Sequence, residues 1–213
     1  MTQILLYSSK NGIALATDSR AVLFDSGMEE STGQVEIQKL FPLSRNVLIV
    51  TGGAGFGILL CRRFQRIVSQ AGYSEFDEIC DLAKGFFPPE VESFRKKSSG
   101  SILSEFDRVY FLTAACTASG GSEGPFRFIL LASENGNDPV HVMETPRVLA
   151  IPRQIGIERR LANLLAREAS LDEVETLFEG SLQKLADLDD DVGPPFHFAR
   201  ITTSGISVRT ANA

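Results

Sequence analysis

Residues 2–21, TQILLYSSKNGIALATDSRA, carry two apolar runs separated by Lys10-Asn11-Gly12. Asn-Gly between such runs is a strong hairpin signal, so residues 2–9 and 13–20 are expected to pair as strands. A three-residue loop with Gly12 in the left-handed region sets Ser9 opposite Ile13 and Thr2 opposite Arg20. A two-residue Asn11-Gly12 loop shifts the pairing by one and turns Asp18 to the other face. The apolar pattern favours neither register. On an extended chain Asp18 and Arg20 point to the same side. As a solvated opposite-charge pair they would contribute little.

Beyond this hairpin, DSGMEESTGQ (25–34) reads as a polar loop, and EIQKLFPLS (36–44) and NVLIVTGGA (46–54) read as two more strands. Leu60, Phe64, Ile67, Val68 and Ala71 recur at helical spacing. Ser74 is expected to cap a second helix that Pro88-Pro89 should break or kink. KKSSGS (96–101) reads as a loop. DRVYFLTAAC (107–116) and FRFILLASE (126–134) are apolar strands around a glycine-rich turn, and PVHVMETPRVLAI (139–151) is a further strand interrupted at Pro146. Ile157, Leu161, Leu164 and Leu165 form a helical stripe, and Ser170 with Glu173 opens another helix as a capping box. The chain finishes as a hairpin around Ser204-Gly205. With no composition shift or repeat, residues 1–213 are expected to form one domain. The element order implies two stacked sheets with helices on both outer faces.

The 213 residues carry 21 basic and 27 acidic side chains and a net charge of −6, so no basic field is available for nucleic acid or an anionic membrane. No apolar run reaches the roughly 18 residues of a membrane span, and the start lacks the pattern of a secretory signal. A cytoplasmic protein is expected. Cys61, Cys80 and Cys116 stand at no metal-ligand spacing, and His141 and His197 are far apart in sequence, so neither metal nor organic cofactor is expected. TGGAGFG (51–57) lacks the G-x-G-x-x-G spacing of a dinucleotide loop, and neither a phosphate-binding G-x-x-x-x-G-K-[ST] nor a G-x-S-x-G elbow occurs.

Threonine, lysine and carboxylates are the catalytic inventory that remains. If Met1 is removed, Thr2 carries a hydroxyl and a free α-amine on one residue. An α-amine titrates near ~8, against about 10.4 for lysine, so it can be neutral at physiological pH and act as base for its own hydroxyl. A lysine cation held by a carboxylate would favour that neutral amine.

These residues resemble the β-type subunits of the proteasome and the related bacterial peptidase HslV, which are N-terminal nucleophile hydrolases. Thr2, Asp18 sixteen positions on, and Arg20 two beyond fall at the family's spacings, and Lys39 in QKLFP takes its lysine position. Gly52 or Gly53 falls where the family's backbone amide forms an oxyanion hole. Asp189 matches the acid of a late Asp-x-x-Ser, with Val192 at the serine, and Gln154 stands at a second supporting-serine position.

The resemblance implies an α+β fold, a four-layer αββα sandwich of two antiparallel sheets flanked by helices. It implies a threonine peptidase that needs no cofactor and acts on polypeptide substrates. It also implies self-association into rings, with a separate ATPase unfoldase where one feeds the chamber. Two other functions fit the same residues: a catalytically silent, ring-forming subunit, and an amidase of small molecules.

Overall fold

The computed structural model describes residues 2–24, 31–97, 107–121 and 124–212. β1 (Ile4–Ser9) and β2 (Gly12–Thr17) form the expected hairpin, but in a register that differs from both expected ones. Ser9 faces Gly12, Ile4 faces Thr17, and the loop is Lys10-Asn11. Gly12 therefore belongs to the strand. Its φ is +151°, and a Cβ there would lie 2.7 Å from the Ile201 carbonyl oxygen, so close strand approach is what requires glycine. Asn11 N–H and the Gly12 carbonyl both bond the Ser9 hydroxyl, which closes the turn locally.

The expected sandwich of two sheets is corrected by the strand pairing. Among the described residues, twelve strands form three antiparallel sheets, which is not a clear helix-flanked two-sheet arrangement. One sheet runs β10-β1-β2-β11-β12, with β10 (Val148–Ile151), β11 (Phe196–Thr202) and β12 (Gly205–Ala211). A second runs β5-β6-β7-β8-β9, with β5 (Leu40–Pro42), β6 (Val47–Gly53), β7 (Val109–Gly121), β8 (Gly124–Ser133) and β9 (His141–Met143). The third is a two-stranded ribbon of β3 (Arg20–Phe24) and β4 (Ser31–Glu36), and β4 takes in residues 31–34 of the expected polar loop. The ribbon separates because the chain leaves the β1–β2 ladder at Asp18, whose carboxylate takes the Arg20 N–H that a neighbouring strand would otherwise use. Residues 25–30 of the expected loop lie outside the described residues, as do Met1 and most of KKSSGS.

The segment read as one strand broken at Pro146 is two strands of different sheets: β9 pairs with β8, and β10 pairs with β1. The helices are α1 (Phe56–Ala71), α2 (Phe76–Lys97), α3 (Ile155–Ala166) and α4 (Leu171–Ala186). Pro88 and Pro89 do not end α2. The carbonyls they leave without partners, on Lys84 and Gly85, belong to exposed residues, and Phe87 and Val91 are fully buried on the other side. Phe87 stacks on Phe111 of β7 with ring centroids 3.9 Å apart, so packing holds the helix through its prolines.

Alternation along β1 explains why both of its faces are apolar. Ile4 and Leu6 join Leu48, Val50, Leu112 and Leu130 of the second sheet in one cluster. Leu5 and Tyr7 join Leu161 of α3 and Val174, Phe178 and Leu182 of α4 in another. A third cluster packs α1 and α2 on β6 and β7. The Ser170–Glu173 capping box opens α4, with both reciprocal bonds made. No helix among the described residues is long and apolar enough to cross a membrane.

Candidate functional site

At the end of the β1–β2 ladder lies a buried ion pair. Asp18 and Lys39 are fully buried, and Lys39 Nζ donates to Asp18 Oδ2 at 2.8 Å. Asp18 Oδ1 accepts the Gln3 backbone N–H at 2.8 Å, and Oδ2 also accepts the Arg20 N–H at 3.0 Å. Lys39 Nζ donates again, to the Arg20 carbonyl at 2.5 Å. A buried charge is tolerated when it is paired and hydrogen-bonded; here both Asp18 oxygens and two of the three Lys39 N–H groups have partners. Burial raises the Asp18 carboxyl above the ordinary range, opposed by Lys39 and by the Gln3 N–H. Burial likewise lowers the Lys39 ammonium, opposed by Asp18.

The two partners flank strands of different sheets, Asp18 after β2 and Lys39 before β5. Thr51 N–H donates to the Lys39 carbonyl at 3.0 Å, which extends the β5–β6 pairing and sets Lys39 beside the end of β6. Gly52 follows there, and a Cβ added to it would stand 2.9 Å from Ile4 Cδ1 and 3.5 Å from Thr2 Cγ2. Thr2 thus lies beside Gly52 near the end of β6, and it is 8 % exposed. Gly53 has a different reason to be glycine. Its φ is +80°, and a Cβ would meet the Arg108 carbonyl oxygen at 2.2 Å. It turns the chain against Arg108, whereas the Gly52 Cβ position faces Thr2.

Arg20 and Asp189 are placed by the segment after α4. Arg20 Nη1 donates to the Asp190 carbonyl at 2.7 Å, and its guanidinium covers Gly193, where a Cβ would fall 2.3 Å from Cζ. Ser19 N–H donates to the Gly193 carbonyl at 3.2 Å. Asp189 is used within its own turn: Oδ1 accepts the Asp191 N–H at 2.9 Å and its carbonyl accepts the Val192 N–H at 3.0 Å. The structure therefore brings Thr2, Asp18, Arg20, Lys39 and Gly52 together. Asp189 supports the turn that receives Arg20, and Val192 is a buried apolar residue in it.

Two residues escaped the reading of the sequence. Gln3 is 2 % exposed and ties β1 to Asp18 and to Pro152. Its polarity ahead of the apolar Ile4–Tyr7 run was the available signal. His197 pairs with Thr17 across β2–β11, which sets it one residue from Asp18. Burial lowers its imidazole, while Asp18 pulls the other way. Only strand pairing could reveal that neighbour.

Among the described residues, no group of three or more His, Cys, Asp or Glu is placed to hold a metal ion. A scan of the chain against protein-family models finds no match, and a search of curated proteins finds no significant match.

Proposed function

We propose that this protein is an N-terminal threonine hydrolase that cleaves peptide bonds, similar in chemistry to the proteasome β-type and HslV peptidases. The observation that carries the reading is the buried Lys39–Asp18 pair tied to the Gln3 N–H, one peptide bond from Thr2. With Met1 removed, the Thr2 hydroxyl attacks the substrate carbonyl and the Thr2 amine takes the hydroxyl proton, directly or through a water. Lys39, held by Asp18, disfavours the protonated amine. A backbone amide at Gly52-Gly53 stabilises the tetrahedral oxyanion. The amine of the cleaved peptide leaves with a proton, an ester to Thr2 remains, and water activated by the same amine hydrolyses it. Polypeptide substrates, self-association into rings, an ATPase unfoldase as feeder and a cytoplasmic setting belong to the same proposal.

Val192 and Gln154, where the resemblance puts hydroxyls, favour a second reading, a ring-forming subunit without activity. One experiment separates the two. Intact-mass analysis of protein from its own cells should show loss of one methionine. An epoxyketone, which needs the amine and hydroxyl of one residue, should then label Thr2 and fail on Thr2→Ala. A protein that keeps Met1 and resists prolonged labelling refutes the hydrolase.

A further inference from the structure

Gln3 stands at the entry to β1, before the regular ladder begins at Ile4↔Thr17 and Ile4↔Ile151. A residue outside the ladder stays in place only if something else holds it. The Gln3 side chain supplies that hold. Its carboxamide is buried, which costs free energy unless its polar atoms are bonded. Nε2 donates to the Pro152 carbonyl at 3.2 Å and to the Ile4 carbonyl at 3.3 Å, while the backbone N–H of the same residue donates to Asp18 Oδ1 at 2.8 Å.

These bonds run to two separate parts of the molecule. Asp18 follows directly on β2 and carries the ion pair to Lys39. Pro152 lies between β10 and α3, two residues ahead of Gln154, where a supporting hydroxyl was expected and an amide side chain stands. Thr2 is one peptide bond away from an N–H fixed on Asp18. Its position against Gly52 therefore depends on whether residue 3 stays in place.

We propose that Gln3 is a positioning residue: its carboxamide, anchored on the Pro152 carbonyl, holds Thr2 against the Asp18–Lys39 pair and Gly52. The clamp itself follows from the hydrogen bonds. Its effect on rate rests on the threonine chemistry proposed above. A nucleophile displaced by about 1 Å can lose roughly a hundredfold in rate, so loosening one of several anchors should cost ten- to hundredfold.

The test compares the wild-type chain with Gln3→Met, which keeps length and volume but cannot donate to Pro152. Amide hydrogen exchange in residues 2–5 is read by mass spectrometry, alongside kcat and KM on fluorogenic tripeptide amides and the thermal midpoint. Exchange in that segment should quicken and kcat should fall about ten- to hundredfold, with KM and the midpoint little changed. Gln3→Asn keeps the amide but shortens its reach by one methylene. It should give intermediate exchange and rate, and it decides the matter if Gln3→Met fails to fold. Unchanged exchange overturns the clamp. Quickened exchange with unchanged kcat overturns the positioning role. If the wild-type chain cleaves nothing and Thr2 resists labelling, the threonine chemistry falls, while the exchange result still decides the clamp.

Discussion

Replacing Lys39 by Met should separate what the buried pair does for stability from what it does for chemistry. Met preserves most of the stem volume and removes the charge, leaving the Asp18 carboxylate fully buried with only the Gln3 and Arg20 N–H groups to solvate it. Removing one partner of a buried pair costs about 3–5 kcal/mol. The two retained N–H donors place this case near the lower end, about 3 kcal/mol. For a chain of about 200 residues that is a midpoint drop of roughly 6–12 °C. The deficit should be larger at pH 8 than at pH 5. Without Lys39 the Asp18 carboxyl is raised further above its unfolded value, so its protonated form is the one the fold favours, and that stability is lost as pH rises through the folded pKa. Adding Asp18→Asn removes the stranded charge, so the double variant should recover to within about 1 kcal/mol of wild type. Peptidase activity should be lost in both. Calorimetry at the two pH values, with urea melts of the four proteins, measures the cycle. A single variant as stable as wild type, or a double variant that sums two independent losses, would refute the buried, coupled pair.

The two adjacent glycines should respond differently. Gly53→Ala combines a positive φ with a clash on the Arg108 backbone and should cost about 3 kcal/mol or more in a urea melt. Gly52→Ala meets only the flexible end of Ile4 and the Thr2 methyl, so it should melt within about 1 kcal/mol of wild type yet lose activity. Equal destabilisation would remove the distinction between a turning glycine and a site glycine. At Glu175, burial alone would raise the carboxyl, but hydrogen bonds from Arg200 and Arg209 outweigh it and hold the pKa below the ordinary 4.5. Its stabilising contribution is thus present above that value and lost as pH falls through the lowered one. Glu175→Gln should flatten the loss of thermal midpoint between roughly pH 5 and 3, and an unchanged acid limb would show that the cluster does not govern acid stability.

Much of this molecule could be read from local pattern. The two apolar runs around Lys10-Asn11-Gly12 are a hairpin, Ser170 and Glu173 open a helix, and the chain ends in a hairpin whose turn falls one residue before the expected Ser204-Gly205, because each depends on residues a few positions apart. The residue types of the proposed threonine site, Thr2, Asp18 and Lys39, stood at the spacings that the family resemblance implies. What the sequence left open was decided by contacts at long range. The register turned on Gly12 meeting the Ile201 carbonyl, a strand from the far end of the chain. The third sheet arose because Asp18 takes the Arg20 N–H and sends the chain into its own ribbon. β9 and β10, a few residues apart, went to different sheets according to which edge strand stood free beside each. The same holds within the site: Gln3 acquires its partner at Pro152 and His197 its neighbour in Thr17 only once strands distant in sequence are paired. Spacing determines which face a side chain takes on its own element. Which element lies opposite is settled by burial of the whole chain, where each buried polar group must find a partner wherever the fold supplies one.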